Sequence, residues 1–141
     1  MANNSNFVGT APVDVVIMAA GKGTRMKSRL PKVLHLLAGR ALLQHVVDTA
    51  TTLQARRVVV ITGHGAIEVE ANLSNSTRVN GTNGKESKEG VDLRFVRQEP
   101  QLGTGHAVQQ AAPELPDDGI VVVLSGDVPL TQPDTLFHLI A

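Results

Sequence analysis

The stretch Val13-Asp-Val-Val-Ile-Met-Ala-Ala-Gly-Lys-Gly-Thr-Arg-Met-Lys-Ser-Arg-Leu-Pro-Lys32 joins an apolar run to a loop that contains two glycines. The apolar run at 13–18 is typical of a buried β-strand. Small residues and glycines directly after a strand let backbone N–H groups come close to an anion. Arg25 and Lys32 add two positive charges just downstream. The stretch therefore predicts an anion-binding loop suited to the phosphates of a nucleoside triphosphate.

The commoner phosphate-binding loops fit this stretch less well. A Walker A loop needs Gly-Lys followed by Ser or Thr, whereas Lys22 is followed by Gly23. A dinucleotide-binding fingerprint needs a third glycine where this chain has Met26. The loop therefore indicates another class of phosphate site, which the rest of the chain has to identify.

Strands and helices are predicted to alternate along the chain. Apolar, largely β-branched runs predict strands, and apolar residues at helical spacing predict helices. The predicted strands are 13–18, 57–62, 92–96 and 120–124. The predicted helices are 41–53, 66–73 and 131–140, with a further helix that Gly103-Thr-Gly-His106 leads into and that runs through Gln110. This order predicts an α/β fold, a Rossmann-like parallel sheet with helices on both faces.

Two polar segments flank or interrupt this pattern. Residues 1–12 are predicted to form an N-terminal tail, and the domain is predicted to span 13–141. Residues 74–90 are rich in Ser, Asn, Gly and Lys with almost nothing apolar, which is typical of an exposed, flexible loop.

The residues best suited to binding or catalysis directly follow the predicted strands: Gly21, Gly63, Gln98 and Asp127. Ligands of parallel α/β sheets bind at the carboxyl ends of the strands. The spacing therefore predicts one site along one edge of the sheet.

The composition narrows the class of protein. A chain of 141 residues is about one domain. Its 13 basic and 13 acidic residues cancel and only 2% of it is aromatic, so it lacks the charge and stacking platforms of a nucleic-acid binder. It has no cysteine, which excludes disulfides and thiolate zinc sites. Without a ~20-residue apolar run or a cationic leader, it is expected to be cytoplasmic and not a membrane protein.

Four motifs carry a resemblance to a known family. They are the strand with Ala-Ala-Gly-x-Gly-Thr-Arg-Met, then Pro31 to Gly39, Gln101 to Ala107, and Gly126 to Leu130. With them the chain resembles the sugar-nucleotidyltransferases, the MobA-like NTP-transferase superfamily. It is most similar to the N-terminal uridylyltransferase (pyrophosphorylase) domain of the bacterial bifunctional enzymes that make UDP-N-acetylglucosamine. The resemblance covers roughly 13–141, apart from 74–90, and implies the nucleotide-diphospho-sugar transferase fold.

The resemblance implies a reaction. UTP and N-acetylglucosamine 1-phosphate would give UDP-N-acetylglucosamine and pyrophosphate with Mg²⁺ as cofactor, supplying peptidoglycan and lipopolysaccharide precursors. Family members are expected to be homotrimers. The family's domain continues beyond the part matched here, with sugar contacts and a second metal ligand, and an acetyltransferase β-helix follows. We therefore expect this chain alone to be truncated, to turn over poorly and to self-associate.

The resemblance also implies roles for individual residues. Arg25 and Lys32 would be catalytic, with Arg25 at the departing pyrophosphate and Lys32 at the nucleotide-sugar phosphates. Asp127 would bind the metal ion, since Mg²⁺ prefers oxygen ligands. The substrate-binding residues would be Met18, Ala19, Ala20, Gly21, Lys32, Gln98, Gly103, Thr104, Ser125, Gly126 and Asp127.

Some of these residues have simpler interpretations. Lys32 could be a surface lysine and Asp127 a turn aspartate. Gln98, with Gly103 and Thr104, matches the positions that read uracil in the family, but alone it would be an ordinary loop residue. Ser125 stands where the family usually has an aromatic residue, which affects packing against the sugar or the nucleotide.

Two alternative functions stay open at this point. One is another nucleotidyltransferase, acting on a different sugar phosphate or on the molybdenum cofactor. The other is a catalytically silent nucleotide-binding module. The five histidines show no metal-ligand spacing, and His106 is expected only to shape the Gly-Thr-Gly-His turn.

Overall fold

The computed structural model of the chain describes residues 11–20, 30–79, 92–100 and 102–140. Its strands are β1 (Val13–Ala19), β2 (Leu36–Leu37), β3 (Arg40–Ala41), β4 (Arg57–Thr62), β5 (Asp92–Arg97) and β6 (Ile120–Ser125). Its helices are α1 (Leu42–Thr52), α2 (Ala66–Val79), α3 (Thr104–Ala111) and α4 (Pro133–Ile140), with 3-10 turns at Lys32–Leu34 and Ala112–Glu114. β1, β4, β5 and β6 pair in parallel in the order β5-β4-β1-β6, whereas β2 and β3 form an antiparallel hairpin.

The parallel sheet is buried through alternating side chains of its central strands. Val15 and Ile17 of β1 belong to the larger core, with Leu43 of α1. Val16 of β1 points to the opposite face, where Ala107 of α3 packs. Because successive strand residues face opposite sides, a strand covered on both sides is apolar along most of its length.

Helices cover both faces unequally. The core on one face draws residues from α1, α2 and α4, including Leu43, Leu73 and Leu136, whereas α3 packs on the other face. At the outer strand β6, Val121 and Val123 are 40% and 41% exposed. The prediction of a parallel sheet with helices on both faces is confirmed, and part of its α3 side is an open apolar surface.

The amino ends of the strands are tied together by charge. Asp14 of β1 is fully buried, and Arg56 contacts it at 2.8 Å (Nη2–Oδ2). The same guanidinium contacts Asp118 before β6 at 3.0 Å. The hydrogen bonds that Arg56 donates to these two carboxylates raise the pKa of Arg56, and the one to Asp118 holds the pKa of Asp118 below its usual value. These contacts fix the end of the sheet opposite the predicted site.

The predicted loop at 74–90 is wrong at its beginning. α2 continues to Val79, beyond the predicted end at 73. A loop was predicted there because the residues are polar. Once a helix is anchored by the buried Val69 and Leu73, however, each further residue that joins it adds one backbone hydrogen bond, so the helix can extend into a polar segment. Residues 80–90 lie outside the described residues.

The β2–β3 hairpin was not predicted. Its turn places Ala38 and Gly39 at φ 53 and 80. Two consecutive residues with positive φ are typical of a tight hairpin turn, and Gly39 was the signal available in the sequence.

None of the described helices is long and apolar enough to cross a membrane.

Candidate functional site

A cleft of about 440 Å³ opens at the carboxyl ends of the parallel strands. Residues predicted from the sequence line it: Met18, Ala19, Ala20, Lys32, Gln98, Gly103, Thr104, Ser125 and Asp127. Sequence reasoning missed two further lining residues, Val33 and Ala107. The other predicted residues of the phosphate loop, Gly21 and Arg25, lie outside the described residues.

Gly126 supports the cleft from behind. Its N–H donates to Met18 O at 2.9 Å, which ties the turn after β6 to the end of β1. A Cβ at position 126 would lie 3.1 Å from that same oxygen and 3.2 Å from Val33 Cγ1. Glycine is therefore needed for close packing of the turn, which holds the neighbouring Ser125 and Asp127 at the cleft.

Lys32 and Asp127 form an ion pair within the cleft. Lys32 Nζ lies 2.8 Å from Asp127 Oδ2, and Ser125 Oγ donates to Asp127 Oδ1. The hydrogen bond from Lys32, followed by the one from Ser125, lowers the pKa of Asp127. The two side chains of the ion pair are 44% and 30% exposed, so a ligand can reach both charges.

The backbone around Lys32 aims its side chain. Lys32 begins a 3-10 turn in which the Leu34 N–H donates to Pro31 O at 2.9 Å. Pro31 is buried against Gly65, and Val33 and Leu34 are only 6% and 5% exposed. The lysine therefore projects from an anchored turn, unlike an ordinary surface lysine.

Gln98 and Gly103 form a second polar unit in the cleft. Gln98 is 3% exposed, and its backbone N–H donates to Thr62 O at the end of β4. Its side-chain Nε2 donates to Gly103 O at 3.0 Å, and the same carbonyl accepts the Ala107 N–H at 3.1 Å. Gly103 precedes α3 with φ 98, a conformation that favours glycine.

A salt bridge supports this edge from outside. The buried Thr62 donates its hydroxyl to Glu70 Oε1 at 3.2 Å, and Glu70 pairs with Arg97 at 3.2 Å. Helix α2 is thereby fixed to the carboxyl ends of β4 and β5. Sequence reasoning did not find this link, because it joins three elements with no local motif.

The oxygen atoms that line the cleft are suited to a metal ion whose other ligands come from a bound nucleotide and water. Within the described ranges, no three His, Cys, Asp or Glu side chains come together as a metal site. Asp127 contributes a carboxylate and Ser125 a hydroxyl at the same point of the cleft. Mg²⁺ is usually held by one or two carboxylates together with substrate phosphates and water, so this donor set fits it.

A parallel sheet with a charged cleft at its carboxyl ends, lined by Met18, Ala19 and Ala20 at the end of β1, is the arrangement expected of a nucleotidyltransferase type of domain. A family model described as the MobA-like NTP transferase domain matches residues 15–141, and the chain belongs to this family.

Among individual relatives, the chain is 74% identical over 129 residues to the bifunctional protein GlmU of Albidiferax ferrireducens, covering 92% of the chain and 26% of that protein. It is 51% identical over 131 residues to GlmU of Marinobacter nauticus, covering 93% of the chain and 26% of that protein. The chain thus spans about a quarter of the length of these relatives. This similarity does not favour the alternative of a nucleotidyltransferase for the molybdenum cofactor or for a different sugar phosphate.

Solved structures support the fold. A nucleotidyl transferase from Methanothermobacter superposes with a TM-score of 0.69 at 25% identity, covering 92% of the chain and 56% of that protein. A UDP-glucose pyrophosphorylase from Acinetobacter superposes with a TM-score of 0.65 at 23% identity, covering 82% of the chain and 46% of that protein. The predicted nucleotide-diphospho-sugar transferase fold is confirmed.

Proposed function

We propose that this chain carries the nucleotide half of a uridylyltransferase site, in which UTP and N-acetylglucosamine 1-phosphate give UDP-N-acetylglucosamine and pyrophosphate. The observation that carries the proposal is the Lys32–Asp127 pair facing the same cleft as the Gln98–Gly103 unit. One unit offers charges to phosphates and a metal ion, and the other offers hydrogen bonds to a base. The likeness to GlmU proteins supports the choice of substrates.

The reaction requires little covalent chemistry from the protein. A phosphate oxygen of the sugar phosphate attacks the α-phosphorus of UTP, and the bond to the β-phosphate breaks as pyrophosphate leaves. Catalysis of such a transfer depends on positioning and on neutralising charge. Lys32 would bind the phosphate oxygens, and Arg25 would neutralise the departing pyrophosphate.

Asp127 would hold Mg²⁺, with Ser125 orienting its carboxylate. A metal ion held there would supply positive charge that offsets the charge of the phosphates. Because Lys32 now pairs with Asp127, the lysine would exchange this carboxylate for phosphate when the nucleotide and its cation enter. The pair thus holds both groups close together in the cleft before substrate binds.

The proposal is tested by single-turnover transfer. The chain is mixed in excess over UTP with N-acetylglucosamine 1-phosphate and Mg²⁺, and nucleotide sugar is measured by chromatography. Because the chain alone is expected to turn over poorly, we expect UDP-N-acetylglucosamine to form slowly within this single turnover. The rate should be the same for Arg40→Ala, whose exposed arginine pairs with Asp48 outside the cleft. We expect it to fall sharply with Lys32→Ala. Product formation with glucose 1-phosphate but not with N-acetylglucosamine 1-phosphate would contradict the proposed acceptor, and Lys32→Ala at the unchanged rate would contradict the proposed site.

A further inference from the structure

A series of hydrogen-bonding side chains runs from the cleft along α3. Gln98 Nε2 lies 3.0 Å from Gly103 O and 3.0 Å from His106 Nδ1. On the next turn of the helix, Gln110 Nε2 lies 3.2 Å from His106 Nε2. Since Gln98 is almost completely buried, its two amide hydrogens need partners inside the protein.

The Gly103 carbonyl determines where the protons lie. A carbonyl oxygen can only accept, so the atom of Gln98 that faces it is the amide nitrogen. The second hydrogen of this nitrogen points to His106 Nδ1, which therefore accepts. A neutral imidazole that accepts at Nδ1 carries its proton on Nε2. The nitrogen of the Gln110 amide is placed at that proton, so this amide has to be flipped for its oxygen to accept there.

We propose that neutral His106, in its Nε2–H form, is a positioning residue that binds the second amide hydrogen of Gln98 and leaves only the Gln98 carbonyl oxygen for a ligand. This inference rests on the proposed function, because it concerns how that site recognises the base. Sequence analysis assigned His106 no more than the shape of a turn.

The fixed amide explains a preference among pyrimidines. Uracil has an N3–H group that can donate a hydrogen bond to a carbonyl oxygen. Cytosine N3 has no hydrogen and can only accept one. An amide free to rotate could serve either base, but one whose hydrogens are both bound inside the protein offers only an acceptor. Discrimination by a hydrogen bond of this kind is stronger than discrimination by shape alone.

The first test compares two variants of His106. His106→Leu removes the acceptor, whereas His106→Asn can place an amide oxygen near the former Nδ1 position. We expect His106→Leu to weaken UTP binding about tenfold while CTP binding stays the same, since one buried hydrogen bond is lost. His106→Asn should keep most of the preference. Gln109→Leu, at the exposed neighbouring position, is the control and should leave both affinities unchanged.

The second test reads the histidine directly and needs no variant. In ¹⁵N NMR spectra of the free chain, the two ring nitrogens of His106 should show the neutral Nε2–H form. The Nδ1–H form, or a charged ring at neutral pH, would overturn the inference. This measurement also decides the matter if His106→Leu weakens both nucleotides by disturbing the fold.

The binding data separate this inference from the proposed function. If the unchanged chain prefers UTP and His106→Leu prefers it equally, the inference about His106 is wrong and the proposed site stands. If the unchanged chain binds UTP and CTP equally, the base-reading role of Gln98 is wrong and the inference fails with it.

Discussion

Gly65→Ala should be among the most damaging conservative substitutions in this chain. Gly65 follows β4 with φ 70, a conformation that costs an L-residue about 1–2 kcal/mol. Its new Cβ would also lie 2.4 Å from Pro31 Cγ, inside any permitted contact. The proline ring is rigid and buried, so the turn carrying Lys32 has to move, at a further cost of about 1–3 kcal/mol.

Gly39→Ala is the matched control for this substitution. Gly39 has φ 80, but a Cβ there meets nothing within 4 Å. Both variants carry the backbone cost, so their difference isolates the contact with Pro31. We expect a difference of about 1–3 kcal/mol in the free energy of unfolding, or roughly 3–12 °C in the thermal midpoint for a domain of this size.

The assay is thermal and urea unfolding of the two variants, followed by UTP titration. Gly65→Ala should also weaken UTP binding, because displacement of Pro31 shifts Lys32, whereas Gly39→Ala should not. Equal midpoints for the two variants would refute the packing argument. A large loss of stability with unchanged UTP affinity would refute the claim that this contact positions Lys32.

The remaining predictions concern charges. Lys32→Ala should raise the activation free energy of nucleotidyl transfer by about 3 kcal/mol. The rate is measured as pyrophosphate release, with circular dichroism as the folding control. A near-normal rate would remove Lys32 from the mechanism. Asp127→Asn should abolish the gain in UTP affinity that Mg²⁺ gives. Because the pKa of Asp127 is lowered in the folded state, its ionised form adds stability above the unfolded pKa that is lost as pH falls through the folded pKa. The stability difference between Asp127→Asn and the unchanged chain in urea should therefore shrink between about pH 7 and about pH 3, and a constant difference would contradict this. Arg56→Ala should lower the thermal midpoint more than Arg97→Ala, since it leaves the fully buried Asp14 unpaired; the reverse order would contradict the role of that pair.

The strands were predictable because burial on both faces leaves little choice of residue. β4 was predicted with its observed bounds, Arg57–Thr62, and β1 within one residue of its end. The extension of α2 to Val79 was not predictable in this way, because its last turns add no apolar stripe. The β2–β3 hairpin was missed because each strand has only two residues, too few to show a period.

The residues that line the cleft could be predicted from the sequence, but the contacts between them could not. Gln98 and Asp127 were found because each follows a strand, and parallel strands end at one edge. The ion pair of Asp127 with Lys32 joins distant parts of the chain, so no local pattern indicates it. The tautomer of His106 depends on the direction of one carbonyl, which only the folded backbone defines.

We propose that the cleft binds UTP through both the phosphates and the base of the nucleotide. The most direct measurement is calorimetric titration of the chain with UTP, CTP, ATP and GTP in the presence of Mg²⁺. We expect UTP to bind most tightly, and Lys32→Ala to weaken the binding of all four nucleotides while the preference for UTP remains. Equal affinities for the four triphosphates, or binding unaffected by Lys32→Ala, would contradict it.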